Sequence, residues 1–415
     1  MFYIRSEIIL RNIVITIFSV FNLLLFYKFI DNDYVIGNGV ISIITYGSFF
    51  PLLIIPNKFF NNRNIFYKII KISIPIIILE SFLGIFQGLY GIFITGIFDL
   101  GFGDYVEGTI HPQLRPEKSM SNPIYAIILS TSLIFLYANK HRIKNFGLIF
   151  LIGLVAFIFS SVNHLIAFLL LSMVISYLIF KPKIFRYSNK VLKLIQGTLL
   201  ILFLLFSIKI LSITNLAQLG NTASYLIENR YPKTKIIYMF FDNNINTKAF
   251  SKYIGLGPGQ VISRASFISS GSYFGGPSSN SLEIPFANSS KFFNQHVDPL
   301  WKKSLQNTQI GSSTSSQIQS SWGAILTEFG IIIWFLMLIF ILKTIIKVKR
   351  HIYNREDRYL GFAFSTILLY IFLMGIQQNY WEVSQAIFIP LIILKIIYSF
   401  LTIGNPSNIL VNDDI

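Results

Sequence analysis

The sequence predicts an all-α membrane protein, a polytopic helix bundle of about ten transmembrane helices with one large extracytoplasmic loop. Three observations predict it. Apolar residues make up 53% of the 415-residue chain, and only 13% are charged, about half the roughly 25% of a soluble domain. Apolar runs recur along the whole length at about the 20 residues that a helix rising about 1.5 Å per residue needs to cross about 30 Å of hydrocarbon. Lys and Arg gather in alternate connections, as they do in cytoplasmic loops.

In chain order the runs are residues 8–30, 34–55, 66–88, 122–138, 146–160, 164–180, 191–213, 322–342, 359–376 and 384–401. The first reads as a retained anchor, because residues 27–34 offer no small-residue cleavage site. The fourth to sixth are short, so tilted or broken helices are expected there. With the N-terminus in the cytoplasm, the inner connections hold Arg5 and Arg11; Lys58, Arg63, Lys68 and Lys71; Lys140, Arg142 and Lys144; Lys181, Lys183, Arg186, Lys190 and Lys193; and Lys343, Lys347, Lys349, Arg350, Arg355 and Arg358. The short outer connections hold Lys28, Arg115 and Lys118. An added or missed span would carry the later clusters outward, so the alternation supports the count of ten. It also explains most of the net charge of +16 without nucleic acid.

The expected organisation is three-part. Residues 1–213 hold seven helices and a smaller outer segment at 90–121. Residues 214–321 form the large outer loop. Residues 322–415 hold the last three helices and a cytoplasmic tail. The loop is mixed in composition and rich in Ser, Asn, Gln and Gly at 269–281 and 311–321; loops this long are commonly functional or disordered. Residues 225–242 and 249–253 read as partly helical, and Gly255-Leu-Gly-Pro-Gly259 as a tight turn. The smaller segment carries Asp99, Asp104, Glu107, His111 and Arg115.

There is no Cys, which excludes disulfides, iron–sulfur clusters, thiolate zinc and a cysteine nucleophile. The chain has no phosphate-binding Gly-Lys-Ser loop, no histidine pair at metal spacing and no nucleophile elbow, which disfavours an ATPase or metalloprotease; no metal or cofactor is expected. Arg115, Arg230 and Arg264 are the outward arginines, suited to phosphate by their planar fork and permanent charge, or else solvated surface residues. Glu328 lies two turns inside the eighth run, where a carboxylate faces a cavity or partner, unless it caps an interfacial helix in water. Glu382 reads as interfacial. Of the lone histidines, His111 and His164 read as structural hydrogen-bonding residues, and His296 is the candidate for direct chemistry. Tyr273, Phe274, Phe292, Phe293 and Trp301 would stack on sugars, seat the loop on the bilayer or pack the loop itself.

Four segments carry a resemblance: Gly108-Thr-Ile with Met120-Ser-Asn-Pro-Ile-Tyr-Ala126; Ser160-Ser-Val-Asn-His-Leu-Ile-Ala167; Glu228-Asn-Arg230 followed by Gly255-Leu-Gly-Pro-Gly259; and Ser320-Ser-Trp-Gly-Ala-Ile-Leu-Thr-Glu-Phe-Gly330. In this order and topology the chain resembles the O-antigen polymerase (Wzy-type) and O-antigen ligase superfamily of bacterial membrane glycosyltransferases, from about Gly84 to Trp381. The ligase pattern H-[NSQ]-x9-G-x-x-G is broken: aligned on Gly330, its first two positions hold Gln319 and Ser320, and Ile333 replaces the last Gly. That favours a repeat-unit polymerase over a ligase.

The resemblance implies a metal-independent enzyme of the bacterial plasma (inner) membrane, with a periplasmic or extracellular loop. It would join polyprenyl-diphosphate-linked oligosaccharide units of an O-antigen or capsule, with a flippase and a chain-length regulator as possible partners. Arg230, helped by Arg264 or Arg115, would bind the departing diphosphate, and Glu328 or His296 would accept the hydroxyl proton. An O-antigen ligase transferring glycan to a lipid A core and a lipid-linked oligosaccharide flippase are the alternatives.

Overall fold

A computed structural model describes residues 6–57, 63–96, 104–110, 121–182, 232–243, 245, 250–271, 284–306, 318–352 and 354–403. Among them the structure is helical, with no strand. The elements are α1 (Ser6–Ile30), α2 (Ile36–Thr45), α3 (Phe50–Ile54), α4 (Arg63–Thr95), α5 (Ser121–Ala138), α6 (Phe146–Phe159) and α7 (Asn163–Phe180). They continue with α8 (Pro232–Phe241), α9 (Ser251–Ile254), α10 (Arg264–Ser269), α11 (Asp298–Gln306), α12 (Ser321–Ala324), α13 (Gly330–Arg350), α14 (Arg355–Gln377) and α15 (Ser384–Ile403). Single π-helical turns precede α11, at Phe293–Val297, and α13, at Ile325–Phe329.

Six helices are long and apolar enough to cross a membrane, or seven if the pair α2–α3, bent by 51°, is one span. The expected count of ten is therefore not reached among the described residues. The run at 191–213 lies outside them, and α5 and α6 are too short to count as spans by themselves. The third run also extends further than expected. Its helix, α4, has 33 residues and is about 50 Å long, so residues 90–95 continue the helix instead of opening an outer segment.

The apolar surface is distributed as a bilayer would require. In α1, α4 and α13 few residues are buried, and Phe29 and Phe93 are 89% and 84% exposed. Helices apolar all round yet uncovered match lipid as solvent. By contrast α14 is buried along most of its length, packed against α7, α5 and α15. Its own Tyr359 and Tyr370 are fully enclosed, as are Tyr125, Phe135 and Phe157 on α5 and α6. Its start is fixed by a capping box, with Asn354 and Asp357 each bonding the other's backbone.

The connections sort to two ends of the bundle. At one end the Arg142 guanidinium bridges Glu356 at 2.8 Å, and Lys140 lies over the Tyr137 and Tyr359 rings. These are connections read from the sequence as inner. At the other end the connections read as outer meet each other, and the described part of the 214–321 segment packs there around its own core of Ile236, Phe240, Val261, Phe267, Phe293 and Val297.

Candidate functional site

The site at this second end is built by side chains on helix ends that take up the backbone of irregular segments. Glu328 is the clearest case. It is fully buried, and its carboxylate accepts three backbone N–H groups: Gly259 at 2.6 Å on Oε2, and Val261 and Ser263, each at 3.0 Å, on Oε1. The backbone beside it pairs too, Leu256 N–H donating to Thr327 O at 3.0 Å and Gly257 N–H to Glu328 O at 2.9 Å. Hydrogen bonds to an ionised group contribute about 1.5–3 kcal/mol each, so the carboxylate fixes the whole stretch from Gly255 to Ser263.

Two glycines make that approach possible. A Cβ on Gly255 would lie 2.1 Å from Glu328 O, and one on Gly330 would lie 2.2 Å from Tyr253 O. Both adopt φ of +80°, a region open to glycine and strained for other residues. The expected tight turn is thus half of a two-sided junction with the π-turn at Ile325–Phe329. The first helices close it from the side. Tyr27 Oη donates to Ile254 O at 2.6 Å, and buried Asn38 exchanges two hydrogen bonds with the backbone of Asn288.

Glu382 is also buried, which corrects its reading as interfacial. It lies in the short turn between α14 and α15. It accepts Arg264 N–H on Oε2 and Tyr46 Oη on Oε1, the latter at 3.2 Å. The Arg264 guanidinium in turn donates to Glu382 O at 3.3 Å. Burial, and next the negative charge of Glu328, push the Glu382 carboxyl up to about 8 against the lowering by Arg264 and Tyr46.

A third junction holds Lys233, His164 and Tyr380. Lys233, near the start of α8, is buried and donates to Gln377 O at 2.6 Å; burial pulls its ammonium down to about 8. His164 Nε2 lies 3.0 Å from Tyr380 Oη, with the rings nearly parallel. Asn122 donates to Ser160 O at 3.0 Å. Ser320 Oγ bonds Gly375 O and Ile376 O, and Ser321 N–H donates to Gln378 O. The fourth junction seats Gly108 and Thr109 on α4. Gln87 Oε1 accepts the N–H groups of Glu107 and Gly108, and Glu80 accepts both the N–H and the hydroxyl of Thr109.

Among the predicted site residues, Arg115 and Arg230 lie outside the described residues, as do His111, Tyr273 and Phe274. Arg264 and Glu328 are brought into one junction through Ser263 and Glu382. His296 is not hydrogen-bonded to either. It stands on the π-turn at Phe293–Val297 with its ring 4.8 Å from that of Phe292, and partial burial lowers its pKa. Phe292, Phe293 and Trp301 pack inside the loop, Trp301 against Phe267 at 5.2 Å. Sequence reasoning passed over Lys233, Glu80 and Gln87 altogether. A carboxylate and an amide seven residues apart on one apolar helix were the available signal for the last two. Among the described residues no cluster of His, Cys, Asp and Glu could hold a metal ion.

The chain matches no protein-family model, no curated protein and no solved structure. Chemically, the end of the bundle sets the Arg264 guanidinium and the Lys233 ammonium beside two buried carboxylates, Glu328 and Glu382, and several neutral hydrogen-bonding groups.

Proposed function

We propose that the protein joins polyprenyl-diphosphate-linked oligosaccharide repeat units of a surface polysaccharide at the outer face of the bacterial plasma membrane. The observation that carries this reading is the assembly, at one end of the bundle, of the described parts of all four resembling segments. Residues 108–109, 122, 160–164, 255–263 and 320–330 lie far apart in sequence, yet each forms a buried junction there. The diphosphate of the donor is its own activated leaving group, so the work of the protein is to position two substrates and stabilise departing charge. Arg230, carried over from the resemblance, does the latter, helped by Arg264 or by Arg115, the outward arginine of the smaller outer segment. The uncovered faces of the apolar helices accommodate the lipid chains.

Glu328 takes a different role from the proton acceptor first expected of it. Both of its oxygens are engaged by loop N–H groups, so it is a positioning residue that sets the loop bearing Arg264. His296, partly exposed and held towards its neutral form, is the acceptor candidate that keeps a free lone pair at neutral pH.

The test is Arg264→Ala in cells with membrane insertion verified. Polymer on the cell surface should give way to single repeat units. A full-length glycan ladder would remove Arg264 from the mechanism. Complete loss of surface repeats would point to a flippase, and polymer stranded on the polyprenyl carrier to a ligase.

A further inference from the structure

The turn between α6 and α7 meets the turn between α14 and α15 through the His164–Tyr380 hydrogen bond. Beside this contact lie three oxygens that are shut off from solvent and make no hydrogen bond: Ser161 Oγ, Asn163 Oδ1 and Asn379 Oδ1. Asn379 as a whole is 1% exposed. Buried polar atoms without partners cost about 1–3 kcal/mol each, and natural proteins keep only a few. Three within two touching turns is a concentration that calls for a donor. Ser161, Asn163 and His164 are partly exposed, while Asn379 and Tyr380 are enclosed. The first turn is thus the one that meets solvent, and the second lies behind it.

The chemistry of the groups selects the ligand. Amide carbonyl oxygens need N–H or O–H donors, and phosphate oxygens bring none. A cation would bring attraction or donors, but the positive charge of Lys233, held on Gln377 O and felt at His164, opposes it. What remains is an uncharged ligand with several hydroxyls, each able both to give and to accept. Ser161, at φ of +52°, has a hydroxyl of the same dual kind.

We propose that Ser161, Asn163, His164, Asn379 and Tyr380 form a subsite for the hydroxyls of a sugar ring. It deepens the proposed function, on whose reading the sugar belongs to the lipid-linked repeat unit. It uses side chains other than Arg264, which bonds Glu382 two residues from Tyr380, so the sugar and the diphosphate meet different side chains of one surface.

The test uses the full chain in detergent and the water-soluble repeat-unit oligosaccharide, freed from the producing cell's own surface glycan by mild acid. Binding is read by isothermal calorimetry, with the fluorescence of the four tryptophans, among them Trp381 next to Tyr380, as a second signal. The wild type should bind saturably, and inorganic diphosphate should not displace the sugar. Asn379→Leu and Asn163→Leu should each raise the dissociation constant roughly fivefold to tenfold, the loss of one neutral hydrogen bond. Thermal unfolding checks that both variants fold, and the partly exposed Asn163 is the safer of the two. Equal affinity in wild type and both folded variants, displacement by diphosphate, or no saturable binding in the wild type would overturn the subsite. Elongation of lipid-linked repeats in vesicles is measured separately. If binding behaves as expected but no elongation occurs, the polymerase reading falls and the subsite stands.

Discussion

Two buried carboxylates, Glu328 and Glu382, dominate the loop end of the bundle, and their removal should have different signatures. Glu328→Gln keeps the volume but turns one acceptor oxygen into an NH2 facing a backbone N–H. We expect destabilisation of about 2–3 kcal/mol, seen as a lower midpoint of thermal unfolding in detergent, with faster proteolysis in residues 250–271. A variant as stable as wild type, with unchanged proteolysis, would show that the clasp holds little. Glu382 gives a pH signature. Its carboxyl titrates near 8 in the folded chain and near the ordinary carboxylate value when unfolded. The folded state therefore binds more protons in between. Stability should fall as pH rises from about 5 to 8 and level off above. Glu382→Gln should flatten that slope, and an unaltered slope would assign it to other groups.

At the scale of elements, the junction between the segment at 255–263 and the π-turn before α13 depends on two backbones meeting without side chains. Gly255→Ala or Gly330→Ala would force a Cβ into a carbonyl and strain a left-handed backbone. A cost of about 2–4 kcal/mol is expected for each, measured by thermal unfolding, whereas Gly147→Ala, with open space around its Cβ, should be neutral. This junction also shows how far the sequence could be read. Gly255 to Gly259 announced a turn through local residue chemistry, and the depth of Glu328 in an apolar run announced a partner. That each was the other's partner was invisible, because the contact spans 69 residues and no local period encodes it. Glu382 misled for a related reason. Its neighbours mark the end of one helix and the start of another, where water is the usual company, and its enclosure comes from distant segments, α10 through Arg264 and the end of α2 through Tyr46.

The whole molecule was more legible. Long apolar runs and alternating basic clusters depend on solvent alone, and six of the runs appear as helices able to span a bilayer. The shorter α5 and α6 and the bent pair α2–α3 show where length alone misleads: neighbouring helices enclose α5, so it need not present a full apolar cylinder to lipid. Sidedness is open to a direct check, because the absence of Cys makes any introduced thiol unique. Lys302→Cys should react with a membrane-impermeant maleimide in intact cells, and Lys343→Cys only after permeabilisation. The reverse pattern would turn the protein over and leave the proposed enzyme without access to its substrates.

The distance between Gly259 and Glu328 bears on synthesis as well. The acidic anchor leaves the ribosome 69 residues after the glycine it secures, which at about 5–20 residues per second is a delay of several seconds. During that interval the amides from Gly259 to Ser263 have no carboxylate to receive them, and hydrocarbon would offer them nothing. The stretch must therefore wait in water until α13 begins to insert. Docking of the loop then becomes a late event, triggered by the arrival of a helix and not by the loop's own folding.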